Sequence, residues 1–489
     1  MGTEQNQKKL NTLQADPYSL DSSKIREPPV GLRASLKYLG PGFILSASIV
    51  GSGELIATTI MGAKAGFVLL WFIIFSCIVK VVVQLEFGKH AICSGETTMQ
   101  ALNSMPGPRL GKANWSIWLW LILMLTKTCQ LGGIIGGVVL GLEQLIPSLG
   151  TAVLFENETI KLPLRYLTTL LVGVSVSVLV FRGYYVVLEK ASLIMIGLFT
   201  LLTMFSLVML QSTEMAVTGM ELGSGLTPSW PEGTLLLVAI GAFGITGVGG
   251  DEVLAYNYWL IEKGYAAYTG PKDDSVEWER RAKGWIRVMY WDAILAMVCY
   301  TLMTSMFYLL GAAILHRNGV VPESNQLIAT LGTMYTETLG PWSKIGFVLG
   351  AVVVLYSTMF AALAAWTRLY SDALGQIGVF DFKNIKSRKI AIGVFAWVFP
   401  VAWTFLFLFF EKPGVLVIIG GVITVVILLI VVFAALFFRY RRLDRRLKPT
   451  TIYDLTLWIS ALAILAVAGF AGKDAIVNAI ALARDSGWI

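Results

Sequence analysis

Apolar stretches separated by shorter polar ones run along almost the whole chain, and each is long enough, at about 20 residues, to cross a bilayer as a helix. The pattern predicts eleven spans, at 38–63, 66–88, 115–141, 163–182, 191–211, 233–262, 285–315, 341–366, 388–410, 413–438 and 452–480. The first and the sixth differ from the rest. "SIVGSGELIATT" (residues 48–59) puts Gly51, Ser52, Gly53 and Glu54 inside the first span. "IGAFGITGVGGDEVLAYNYW" (residues 240–259) puts Gly247, Val248, Asp251 and Glu252 inside the sixth. Glycine weakens a helix by about 1 kcal/mol relative to alanine, and a carboxylate at mid-bilayer costs at least about 2.5 kcal/mol. Both spans are therefore expected to be interrupted at mid-membrane, with the freed backbone lining a site.

Five spans precede the sixth, so the two interrupted helices cross in opposite directions. That is the footprint of an inverted repeat. The expected organisation is a polar tail at 1–37, a first five-helix half at 38–211, a second at 233–438 and an eleventh helix at 452–480. Basic residues support the alternation. Lys89, Arg109 and Lys112 fall in one loop, Lys263, Lys272, Arg280, Arg281 and Lys283 in another, and six more cluster between Arg439 and Lys448, whereas 211–233 holds none. By the positive-inside rule the N-terminus is cytoplasmic and the C-terminus outside.

Composition agrees and excludes other classes. Of 489 residues, 56% are hydrophobic and 14% charged, with a mean hydropathy of +0.71, far from the roughly 25% charged residues of soluble domains. Alternating ten-residue segments of a membrane β-barrel are absent. The net charge of +7 sits in the loops and calls for no nucleic acid. Cys77, Cys93, Cys129 and Cys299 lack metal-ligand spacing, and His90 and His316 lie near span ends, which argues against a histidine-based zinc or copper site. No phosphate-binding glycine loop or metal-hydrolase motif is present, so the chain does not read as an enzyme.

Glu54, Asp251 and Glu252 are the candidate site carboxylates, as ligands for a hard cation, as proton carriers, or as caps of restarted half-helices. The same glycine N–H groups, at the positive ends of half-helices, also suit an anion. Lys127, in "MLTKTCQL", lies deep in the third span and could neutralise a site carboxylate, replace a coupling cation or attract an anion. Lys80, in the second span, is read as able to reach the interface. Asp292 is read as a pathway residue or a helix-end charge. Gly132, Gly133, Gly136 and Gly137 read as packing positions, and Tyr356, Ser357 and Thr358 as hydroxyls bonded within their helix.

At these residues the chain resembles the Nramp family of divalent-metal transporters. "LGPGFILSAS", "VVVQLEFGKHAICSGETTMQAL", "RGYYVVLEK" and Asp292 carry the resemblance, over roughly residues 38–438. It implies the LeuT-type fold, all-α, with two inverted five-helix repeats, helices 1 and 6 broken, and secondary transport by alternating access. The site departs from the family. Gly51, Ser52, Gly53 and Glu54 replace Asp-Pro-Gly-Asn; Asp251, Glu252 and Val253 replace Met-Pro-His; Lys127 and Gln130 replace two acids of the proton route. Without the thioether, Glu54 and Asp251 would form an all-oxygen site for a hard divalent metal such as Mg²⁺ or Mn²⁺. The alternative is a small anion, such as bicarbonate or a carboxylate-bearing solute, coupled to H⁺ or Na⁺. A substrate sensor that binds without transporting is a third reading. The expectation is a monomer in the cytoplasmic membrane, with no cofactor.

Overall fold

Every predicted span folds as a helix. The computed structural model describes residues 16–156, 161–182, 185–231, 233–322 and 326–485. Helix α1 comprises Pro41–Ile49, a wide π-helical stretch Val50–Thr58, and Thr59–Ala65. It is followed by α2 (Leu70–Ser94), α3 (Trp115–Leu145), α4 (Leu164–Arg182) and α5 (Tyr185–Leu210). The sixth helix is divided into α6a (Thr234–Ile245) and α6b (Gly250–Lys263). Then come α7 (Val276–Leu310, running on as a π turn Gly311–His316), α8 (Ser343–Ile377), α9 (Ile385–Phe410), α10 (Pro413–Phe437) and α11 (Thr451–Asp485). Among the described residues, nine helices are long and apolar enough to cross a membrane, and α5 adds the shorter apolar stretch Ile196–Leu210.

Four of the five pairs of counterparts five helices apart lie against each other. Helix α2 packs along α7, α3 along α8, α4 along α9, and the middle of α1 against α6a. Helix α3 also runs along α10, while α11 sits outside against α2 and α10. Small residues set these distances. A Cβ on Gly133 would lie 2.9 Å from Val417 and one on Gly137 would lie 2.9 Å from Leu355, so the glycines expected to serve packing do so. Ile122 and Leu125 on α3, Phe405 and Phe409 on α9, and Leu462 on α11 are exposed, as lipid-facing positions require.

Boundaries follow hydrogen bonding more than hydropathy. Helix α8 continues to Ile377 although its apolar stretch ends near 366, because the polar residues beyond are paired. Arg368 Nε donates to Glu262 at 2.6 Å, and Asp372 accepts from the Tyr258 hydroxyl at 2.6 Å. After α2 come a turn at Gly95 and a short helix Thr98–Asn103, whose N-terminus is closed by a capping box between Thr97 and Gln100. Helix Leu327–Leu339, between α7 and α8, carries no signal used above. Beyond the spans, Glu96 bridges α2 and the end of α10, accepting from His90 at 2.9 Å and from Arg442 at 2.5 Å. The His90 hydrogen bond, with Arg442 behind it, pulls the Glu96 carboxyl down to about 2.

Candidate functional site

The backbone leaves helical geometry at 246–249, between α6a and α6b, and Gly247 turns through φ +62°. Only glycine takes that conformation without strain. The turn frees carbonyls at the end of α6a and amides at the start of α6b, each needing a partner inside the protein. Lys80 serves the carbonyl side. Its Nζ donates to Phe243 O at 2.5 Å and to Thr246 O, while Ser76 Oγ donates to Phe243 O at 3.2 Å. On the amide side Asp251 and Glu252 occupy the first turn of α6b, where the helix dipole favours acids. Asp251 does not act as a cap, because both its oxygens turn to other helices.

Helix α1 behaves differently. Val50–Thr58 stays helical with wide π turns instead of opening into an extended stretch. Gly51 and Gly53 are contact positions. A Cβ on Gly51 would lie 2.8 Å from Thr358 Cβ and 2.9 Å from Val354 O on α8, and one on Gly53 would lie 3.1 Å from the Ile245 carbonyl carbon at the end of α6a. The space beside both glycines is filled by neighbouring helices. The side chain of Ser52 lies outside the described residues. Glu54 does not cap its own helix: it crosses to the sixth, where Oε1 accepts from the Gly247 amide at 3.1 Å and from Thr304 Oγ1 of α7 at 2.7 Å. Its second oxygen, Oε2, is buried with no hydrogen-bond partner among the described residues.

Lys127 reaches Asp251. Its Nζ pairs with Asp251 Oδ1, and Trp366 Nε1 of α8 donates to Oδ2 at 2.9 Å, so both carboxylate oxygens are engaged. Of the roles the sequence allows Lys127, neutralising a site carboxylate is the one observed. Beside the pair, between the first part of α1, α6b and α8, lies a small cavity of about 10 Å³ lined by Ser48, Asp251, Glu252, Trp259 and Trp366. That is room for about one water molecule. The much larger groove of about 1030 Å³ lies elsewhere, between Phe181 and the start of α9, away from every candidate residue.

The remaining expected residues divide. Val248 is buried in the turn itself, and Gln130 packs against Gly420 of α10. Asp292 is taken up at the start of α1, accepting from the amides of Gly40 at 2.8 Å and Gly42 at 2.5 Å and from the Tyr256 hydroxyl at 3.2 Å. Asp292 lies well inside its own helix α7 and holds the start of a different one. Glu54 and Asp251, expected as joint metal ligands, are held by different partners. Among the described residues no group of three His, Cys, Asp or Glu side chains is poised to hold a metal ion.

Lys80 is the largest correction. It does not reach the interface; it is fully buried and bound to the broken helix. The signal was available, since Ser76, Lys80 and Gln84 are spaced by four and share one face of an otherwise apolar helix. Thr304 and Trp366 gave no such sign.

A family model described as natural resistance-associated macrophage protein-like (Nramp) matches residues 42–471. An uncharacterized protein of Pasteurella multocida is 25% identical over 344 residues, covering 69% of this chain and 70% of its own length. The divalent metal cation transporter MntH of Caldanaerobacter subterraneus is 25% identical over 297 residues, and the match spans 60% of this chain and 62% of that relative. Among solved structures, a mutant of the Eremococcus coleocola manganese transporter aligns with a TM-score of 0.60 at 14% identity, covering 91% of this chain and 88% of its own. That last likeness shows the fold.

Proposed function

Because the chain belongs to the Nramp family, we propose that it is a secondary transporter moving a divalent cation across the membrane by alternating access. One observation carries this reading. Glu54 places a buried carboxylate at the α6 break with one oxygen hydrogen-bonded to the turn and the other unengaged. A desolvated oxygen of that kind is a ready ligand for a hard ion such as Mg²⁺ or Mn²⁺. Asp251 and Glu252 supply further oxygens once Lys127 moves off, so the ammonium holds the acidic turn together while the site is empty.

A second reading has its own support. Lys80 and Lys127 bring two ammonium groups to the break, which favours a small anion such as bicarbonate over a dication. The deciding experiment is uptake of Mg²⁺ and Mn²⁺ into liposomes containing the purified protein. Saturable uptake that falls at least about tenfold in Glu54→Gln supports the cation reading. Folded protein that takes up labelled bicarbonate and neither metal overturns it in favour of the anion. We further propose a monomer in the cytoplasmic membrane with the N-terminus cytoplasmic and the C-terminus outside.

A further inference from the structure

We propose that Lys80 is a tethered cation filling an oxygen-lined cation subsite at the end of α6a, so that no inorganic co-ion is needed there. The inference rests on the reading of the α6 break as the transport site and deepens it. Free carbonyls at a helix C-terminus carry partial negative charge, and in broken membrane helices such ends coordinate cations. Here four oxygens converge: Phe243 O and Thr246 O, both bound by the Lys80 ammonium, with Ser76 Oγ 3.2 Å from the first and 3.1 Å from Thr246 Oγ1. All are backbone or hydroxyl oxygens, the donors a hard cation prefers. The ammonium also lies 5.1 Å from the centre of the Phe243 ring. Among the described residues no carboxylate touches it, so the two backbone carbonyls hold the charge.

Tethering alters the thermodynamics. A diffusible ion stabilises the folded state by an amount that grows with the logarithm of its concentration, whereas a side chain attached to α2 is present at all concentrations. A lysine that merely closed a helix end would leave no ion site behind when removed. One that replaces an ion would.

The test uses the full chain in detergent micelles, with unfolding followed by tryptophan fluorescence in NaCl, KCl or choline chloride at equal ionic strength. The parent protein is expected to melt at the same temperature in all three salts. Lys80→Met is expected to melt lower in choline and to recover by several degrees in Na⁺ or K⁺, saturably. A parent protein stabilised by Na⁺ or K⁺ over choline overturns the proposal, as does a folded Lys80→Met protein that ignores the salt. Should Lys80→Met not fold in any of them, Lys80→Arg decides: it retains a tethered charge and must be as insensitive as the parent, and a salt-dependent Arg variant overturns the proposal. Because the readout is unfolding, a protein that fails to transport Mg²⁺ or Mn²⁺ leaves this result standing.

Discussion

Helices α1 and α6 carry the same sequence anomaly, glycines beside acids in an apolar span, and resolve it in opposite ways. In α1 the chain keeps its internal hydrogen bonds by widening its turns, and its glycines let α8 and α6a approach closely. In α6 the chain leaves the helix over 246–249, and Lys80 and Glu54 bind groups that the break frees. What separates them is the supply of polar partners. Thr358 and Val354 of α8 occupy the space beside Gly51, whereas α2 brings Ser76 and Lys80 to the end of α6a. A helix in a membrane breaks where neighbours can bind what the break exposes. Glycine permits either outcome.

The strongest test removes such a partner. Lys127→Met leaves the Asp251 carboxylate buried against Trp366 without its counter-charge, at an expected cost of about 3–5 kcal/mol. Thermal unfolding in detergent should show a large drop, restored in part by adding Asp251→Asn. No drop would mean that the pair does not hold α6b to α3. The two glycine roles can then be set against each other. Gly51→Ala forces a methyl into α8 and should cost about 1–3 kcal/mol, relieved in part by Thr358→Gly. Gly247→Ala should cost about 1–2 kcal/mol through its backbone conformation, and trimming Cys77 should help little, because it removes the Sγ at 3.1 Å but leaves the Cys77 Cα at 3.1 Å and the backbone strain. Equal rescue at both sites would erase the distinction.

The smallest effect lies outside the spans, where water weakens charge. The folded-state pKa of Glu96 is depressed from 4.5 to about 2, so its contribution is fully present above pH 4.5 and is lost as pH falls toward 2. Glu96→Gln should therefore match the parent protein's stability at the acid end of that window and fall slightly below it at neutral pH. A difference that grows on acidification would contradict the assignment.

The fold was largely legible because apolar length and basic-loop alternation report directly on spans. Both interruptions were legible too, since glycine and carboxylate together have few other uses at that depth. The form of the α1 interruption was not, because it depends on what α8 presents to Gly51. Site chemistry was legible by element and not by contact. Asp251 and Glu252 lie in the first turn of α6b as their place after the glycines implied, and Lys127 pairs with a carboxylate as its depth required. Lys80 was misplaced because a lysine ten residues into a helix can extend toward either end, and hydropathy does not say which. Asp292 reads identically as pathway or cap until Gly40 and Gly42 are seen to donate to it.

The π stretch of α1 has a mechanical consequence. Each of its turns holds more residues than an α turn, so the segment stores slack that can be taken up without unfolding. Tightening it by one residue would rotate everything on one side by about 100° relative to the other. Glu54 sits within that stretch and grips the turn of α6 through Gly247, while Asp292 anchors the start of the same helix. Helix 1 therefore resembles a sprung screw fixed at its foot, and passing the slack along it would swing the carboxylate on and off the broken helix like a cam.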